Sequence, residues 1–297
     1  MISVVINTLN EEKNIGRAIE SVKSFADEIV VVDMESVDNT VSVAKKLGAV
    51  VFTHKPMHYV EPARNFAISK AKGEWIFIID ADEEAPKTLL VELGRIAHAG
   101  THDFVRIPRK NIIFGKWMQH SRWWPDENIR FFKKGSVSWE DEIHSIPVTK
   151  GEGITLKSDV SFALTHHHYD SVEQFIDRLN RYTSIQAEEL HKRGKSATYV
   201  DFVKRPTSEF VSRYFAGLGY KDGIHGIALA FLQAFSELCV YLKLWQLGGF
   251  RDEHARLPQI VETITESQKE VNYWKAHAQV TEGAGVTARV KRRFKLQ

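Results

Sequence analysis

Apolar and polar positions alternate in two rhythms along the N-terminal part of the chain. Short apolar runs at residues 2–7, 29–32, 49–53 and 75–79 have the length and residue types of strands buried on both faces. Between them, helical spacing puts Ile15, Ala18, Ile19 and Val22 on one face, and Ala63, Phe66, Ala67 and Ala71 on another. Glu11 and Glu12 open the first of these helices, where the helix dipole favours carboxylates. A helix from residue 86 to about 98 and a fifth strand at 103–107 continue the series. Alternation of this kind predicts an α/β fold with a doubly wound, mostly parallel sheet.

Past residue 108 the pattern turns aromatic and irregular, and the alternation predicts short strands with a hairpin crossing in front of the sheet. Residues 161–169 read as a strand running into His166, His167 and His168, with His166 and His168 on one face. From Ser171 the spacing is helical, through Val172, Phe175, Ile176, Leu179, Tyr182 and Ile185. A second helix is expected after Pro206 and a break at 223–226. The most apolar stretch, 227–245, is interrupted by Gln233, Ser236, Glu237 and Lys243. Ionisable groups in mid-span disfavour a transmembrane helix, which leaves a core helix or one lying in a membrane interface. The expected organisation is a catalytic domain over 1–170, a helical region over 171–280 and a basic tail over 281–297. Within the first, a nucleotide-sugar half covers about 1–100 and an acceptor half about 101–170.

With 43% hydrophobic and 11% aromatic residues the chain can bury a real core. A formal charge of +2 gives no general case for nucleic acid as a partner. The single cysteine, Cys239, excludes an internal disulfide and suits a reducing compartment. Met1 leads straight into a strand pattern, so a cytoplasmic location is expected. Neither G-x-G-x-x-G nor a P-loop follows the first strand, so a bound nucleotide has to be held by side chains and a metal.

The densest chemistry stands at the end of the 75–79 run, where D-A-D-E-E begins. In extended backbone Asp80 and Asp82 leave on the same face. A hard divalent cation prefers carboxylate oxygens, and one that also holds a diphosphate needs only one or two protein ligands. An acidic turn capping the following helix explains the same residues, so the neighbouring segments decide.

Those segments carry a resemblance. I-S-V-V-I-N-T-L-N-E-E, then I-V-V-V-D-M-E-S-V-D-N-T, then A-R-N-F-A-I-S-K-A-K-G-E-W-I-F-I-I-D-A-D-E, in order, resemble the family 2 glycosyltransferases of GT-A fold. W-P-D-E-N-I-R-F-F-K-K-G resembles a segment of the subgroup that builds lipopolysaccharide core and related surface glycans. Likeness extends over roughly residues 1–247 and is strongest before 85. The resemblance implies that Thr8 and Glu11 line a nucleoside pocket, Asp33 contacts the base and Asp38 supports that loop. It places Arg64 on the diphosphate or against Asp33, Asn65 as a holder of its helix, and Asp80 on the ribose or a water. Asp82 is the implied ligand of magnesium or manganese, with His166 near the metal and diphosphate; a structural histidine fits His166 as well. Asp126, Arg130 and His144 are taken as acceptor or sugar contacts; Trp124 is a further candidate, as a ring that stacks on a sugar, although a tryptophan more often simply packs.

An inverting transfer needs a carboxylate to accept the acceptor's proton. The subgroup places a glutamate after its histidine, where this chain has Ser145. Glu142 or Asp141 stands in, with Glu142 preferred because it shares a strand face with His144. The expected activity is an inverting, metal-dependent hexosyltransferase using a nucleoside diphosphate sugar, with UDP expected. Its acceptor would be a hydroxyl of a lipopolysaccharide core or other surface-glycan precursor. A polyprenyl-phosphate acceptor and a non-catalytic nucleotide-sugar-binding protein are the alternatives. The apolar 227–245 stretch and the basic residues of 289–295 predict a peripheral position on an anionic membrane surface, at the inner face of the cytoplasmic membrane.

Overall fold

A computed structural model describes residues 1–55, 61–139 and 147–283. The chain divides into two compact units. The first comprises Met1–Ile112 and Trp124–His168; the second comprises Ile113–Trp123 and the chain from Tyr169 on. Residues 113–123, expected in the acceptor half of the catalytic domain, group instead with the helices.

In the first unit β1 (Ile2–Thr8), β2 (Glu28–Asp33), β3 (Val50–Thr53) and β4 (Trp75–Ile78) alternate with α1 (Ile15–Val22), α2 (Thr40–Lys46) and α3 (Glu61–Lys70). β5 (Glu83–Glu84), α4 (Lys87–Ala99), β6 (Phe104–Ile107) and β7 (Arg109–Ile113) follow. β8 (Lys116–Trp117) lies in the second unit. β9 (Asn128–Lys133), β10 (Val137–Ser138), β11 (Val148–Thr149), β12 (Gly153–Thr155) and β13 (Leu164–Tyr169) complete the first. A seven-stranded sheet runs β12-β6-β9-β4-β1-β2-β3, with β9 antiparallel to both its neighbours and every other pair parallel.

The unbroken apolar runs follow from cover on both faces. Val4, Ile6, Val31 and Phe77 pack with Ile15 and Ile19 of α1 and Leu89 and Leu93 of α4. Val5, Val30, Ile76 and Ile78 meet Ala67 and Ile68 of α3. Burying each large side chain contributes about 1.5–3 kcal/mol. Short strands do follow residue 108, but the apolar 129–132 segment is not part of a hairpin in front of the sheet: it is β9, inside the sheet between β4 and β6. Successive strand residues face opposite ways, so Phe131 joins one core layer and Phe132 the other.

Two boundaries differ from expectation. Helix α1 starts at Ile15, because Glu11 and Glu12 lie in a preceding turn where the Glu11 carbonyl accepts from the Asn14 and Ile15 amides. Residues 160–162 form a 3-10 turn capped by Asp159, and the strand begins only at Leu164. β13 then pairs antiparallel with β5, setting His166 opposite Glu83 and Thr165 opposite Glu84.

The second unit contains α5 (Val172–Lys192), α6 (Tyr199–Val211), α7 (Ile224–Leu247) and α8 (Leu257–Thr281). Ser171 caps α5 by accepting from the Gln174 amide. Helix α6 begins well before Pro206, which sits inside it. The start is set by Thr198, whose amide and hydroxyl both donate to Asp201. Asp222 holds the 113–123 segment, accepting from the Gln119 and His120 amides and pairing with His120 Nδ1 at 3.1 Å. Met118 and Trp123 pack among Phe175, Leu179 and Leu229. The basic tail from residue 284 lies outside the described residues.

Candidate active site

β1 and β2 end side by side, with Thr8 paired opposite Asp33 at the carboxyl edge of the sheet, the edge where open α/β sheets take ligands. Both residues are buried. Thr8 Oγ1, Asp33 Oδ1 and the neighbouring Asn7 Oδ1 have no hydrogen-bond partner among the described residues. A buried polar atom left unpaired costs about 1–3 kcal/mol, a cost that polar groups of a ligand at this edge would relieve. Asp33 Oδ2 accepts from the Ser36 amide at 3.0 Å, which fixes its other oxygen. Asp38 ties the two flanking loops: it accepts from the Thr40 amide and hydroxyl and from the Glu12 amide. Partial burial pushes the Asp38 carboxyl up, but these hydrogen bonds outweigh it and hold the group below its usual range. Glu11 accepts from Asn14 Nδ2 at 2.7 Å, and its amide donates to Thr40 Oγ1.

Below β4 lies a charge cluster. Asp80 accepts from Arg64 Nη2 and Arg130 Nη1, each at 3.1 Å, and from Arg130 Nη2. The fully buried Glu83 accepts from Arg130 Nη2 at 2.7 Å and Arg109 Nη1 at 3.3 Å, and caps the Asp80 amide. Asp126 pairs with Arg109 Nη2 at 2.7 Å. Burial alone would raise the Asp80 pKa, but Arg130, Arg64 and Arg109 hold it well below the carboxylate range. Asp126 is lowered the same way, against its burial, by Arg109 and Asn111. Arg64 therefore braces Asp80 and not Asp33. Arg130 is corrected too: expected to touch acceptor or sugar, it is buried on Asp80 and Glu83.

Asp126 also orders a relay towards Asp82. A carboxylate only accepts, so Asn111 Nδ2 faces Asp126 Oδ2 at 2.8 Å. That turns Asn111 Oδ1 to His166 Nδ1, 2.6 Å away, which must then be the N–H. The other ring nitrogen, Nε2, stands 3.4 Å from Asp82 Oδ2. A metal-bound histidine is oriented in this manner, by donating its far N–H to a fixed acceptor. No group of three or more acidic, histidine or cysteine side chains that could hold a metal occurs among the described residues. Asp82 and His166 fit a magnesium or manganese ion that takes its remaining ligands from a diphosphate and water. His168 stacks on His166 with ring centres 4.4 Å apart, and His167 turns away to Glu84 at 2.7 Å.

The profile described as Glycosyl transferase family 2 matches residues 3–150. An uncharacterized glycosyltransferase of Rickettsia typhi is 33% identical over 259 residues, which cover 83% of this chain and 87% of the relative. The chain belongs to glycosyltransferase family 2. It is also 25% identical to the lipopolysaccharide core biosynthesis glycosyltransferase LpsC of Rhizobium meliloti, over 82% of this chain and 92% of that one. Among solved structures, S. aureus TarS 1–349 in complex with UDP aligns over 86% of this chain and 94% of its own, at 17% identity and TM-score 0.45.

This glycosyltransferase has the GT-A architecture its motifs imply. Asn65 holds α3 as expected, bonding the Trp139 carbonyl at 2.6 Å and the Trp139 amide at 3.1 Å. Trp124 is half-buried and joined to Pro125 by a cis peptide bond. Asp126, expected to contact acceptor or sugar, is instead engaged with Arg109 and Asn111. Glu142, Asp141 and His144 lie outside the described residues. Three functional side chains escaped the sequence reading: Glu83, Arg109 and Asn111. Their one signal was the i, i+2 spacing of Arg109 and Asn111 in a strand otherwise closing on Ile113.

Proposed function

We propose that this enzyme transfers a hexosyl group from UDP-sugar, with inversion, to a hydroxyl of a lipopolysaccharide core or related surface-glycan precursor. The observation that carries the reading is the relay Asp126–Asn111–His166, which aims Nε2 at Asp82. Asp82 and His166 would hold magnesium or manganese, which supplies positive charge for the departing diphosphate. The unpaired oxygens of Thr8 and Asp33 suit a uracil edge, which offers one N–H and two carbonyls and so needs acceptors as well as donors. Asp80, held ionised by its arginines, is an acceptor for ribose hydroxyls. Likeness to LpsC supports the acceptor class. Glu142 or Asp141 would take the acceptor's proton, since Ser145 cannot.

The test is UDP release from a panel of UDP-hexoses with a delipidated core oligosaccharide, with manganese and with chelator. Turnover by the wild type should require the metal. Asp82→Asn should lower it by about 10²–10³-fold, the cost of losing one charge-stabilising group, with the fold unchanged by circular dichroism. Full turnover of that variant in chelator would remove the metal from the reaction.

A further inference from the structure

α7 is long and apolar enough to cross a membrane, yet only 28% of its most apolar 18-residue window is buried. α7 is therefore only partly covered by the other described residues, with most of its side chains buried or half-buried and a few exposed. Four of its exposed apolar residues form a stripe: Ile224, Phe231, Phe235 and Leu242, 79%, 59%, 46% and 37% exposed, recur at intervals of seven, four and seven, while Leu247 at the helix end lies off that line. Such intervals keep side chains on one helix face. Uncovered apolar surface of this extent marks an interaction site.

The other faces of α7 are committed. Lys243 Nζ is clasped by Asn180, Thr183 and Ser184 of α5, with its four contacts at 2.5–2.8 Å. α6 runs antiparallel along it, with Arg205 over Tyr241 and Phe202 against Trp245, and its Phe210 reaches the edge of the stripe at Phe231. A spanning α7 would drag the exposed Asp177, Arg181 and Glu188 of α5 into hydrocarbon, which ionised groups resist. The stripe can therefore lie on a bilayer but not cross one.

Charge selects the kind of bilayer. α8 ends at Thr281, and Glu282 bonds Tyr220 Oη at 3.0 Å and Lys221 Nζ at 3.1 Å, beside the Gly223–Ile224 start of α7. The remaining sequence, residues 284–297, follows Gly283 and carries Arg289, Lys291, Arg292, Arg293 and Lys295 with no acidic residue. We propose that the α7 stripe and this cationic segment together dock the protein on the surface of an anionic bilayer. The apolar residues enter the headgroup boundary and the cations meet lipid phosphates.

The test is co-sedimentation of the full chain with vesicles of phosphatidylglycerol or of phosphatidylcholine. Binding to the first and release by high salt are expected, because the attraction is screened within about 10 Å at moderate ionic strength. Truncation after Gly283 should weaken binding by roughly 10³–10⁴-fold, since each of the five cations contributes about fivefold. Ile224→Glu/Phe235→Glu should abolish it while the thermal melt stays that of the wild type. Equal binding to neutral vesicles, no binding to anionic ones, or release only by detergent would each overturn the proposal. So would sedimentation of the wild type as a dimer that the double variant dissolves, with vesicles bound by neither; the stripe would then seat a second copy. Neither donor nor acceptor enters this assay, so its failure leaves the glycosyltransferase reading untouched.

Discussion

At Asp80, burial and charge pull in opposite directions, and charge wins. Burial would raise its pKa, while Arg130, Arg64 and Arg109 lower it well past the usual range. A carboxyl lowered on folding contributes stability that is fully present above its unfolded pKa of about 3.9 and is lost as pH falls through the folded value. Asp126, lowered by Arg109 and Asn111, adds to the same acid limb. Wild-type urea midpoints should accordingly hold from neutrality to about pH 4 and fall steeply below it. Asp80→Asn should be less stable near neutrality, with buried Arg130 short of a partner, and should show a shallower acid limb. A wild-type midpoint that stayed level down to about pH 2 would refute the linkage. Asp80, Asp82, Asp126 and His166 stood out as candidates in the chain because each falls in a local motif, though the motif did not give Asp126 its partners Arg109 and Asn111. Glu83, Arg109 and Asn111 were not: their partners lie 15 to 55 positions away, and a lone polar residue in a strand does not announce what it will face.

Periodicity recovered the elements where one physical rule acted alone. β4 is apolar throughout and β1 and β2 carry unbroken apolar runs at their centres, because both faces are covered. The misreadings came where two rules competed. Pro206 suggested a helix start, yet the Thr198–Asp201 box begins α6 earlier, and the helix carries the proline inside it despite the lost hydrogen bond and the clash of its ring with the preceding turn. The insertion of β9 between β4 and β6 escapes any local pattern, because strand order is a long-range property. Glycine can be tested at this scale through close approach. A Cβ on Gly226, in the first turn of α7, would lie 1.8 Å from the Gly219 carbonyl oxygen, and displacing that turn disturbs Asp222. On Gly94, inside α4, it would meet only Phe25 at an ordinary 3.8 Å. Gly226→Ala should therefore lose about 1–3 kcal/mol to overpacking. Gly94→Ala should gain roughly 0.5–1 kcal/mol through helix propensity. Urea denaturation of the two variants checks both signs.

For the whole molecule, a linear boundary near residue 170 would cut through a cluster. Ile113, Met118 and Trp123 are buried among Phe175, Leu179, Tyr169 and Leu229, all but Tyr169 beyond that boundary. The 119–123 backbone is held by Asp222 and Arg213: Ser121 donates its hydroxyl to the Arg213 carbonyl at 3.0 Å, and Arg213 Nη1 donates to the Ser121 carbonyl at 2.8 Å. No local pattern marks residues 113–123 as belonging to helices that begin some fifty positions later, because they read as one more stretch of aromatic strand. A fragment of residues 1–170 would leave three large apolar side chains without cover. Each forgoes about 1.5–3 kcal/mol of burial, a large share of a typical domain's stability. The expected outcome is a fragment that aggregates or binds a hydrophobic dye strongly. A second fragment, with residues 113–123 replaced by a short glycine–serine linker, should be more soluble and should melt more cooperatively. If the plain 1–170 fragment proves as soluble and as cooperative as the full chain, residues 113–123 do not depend on the helices, and the division between the units lies elsewhere.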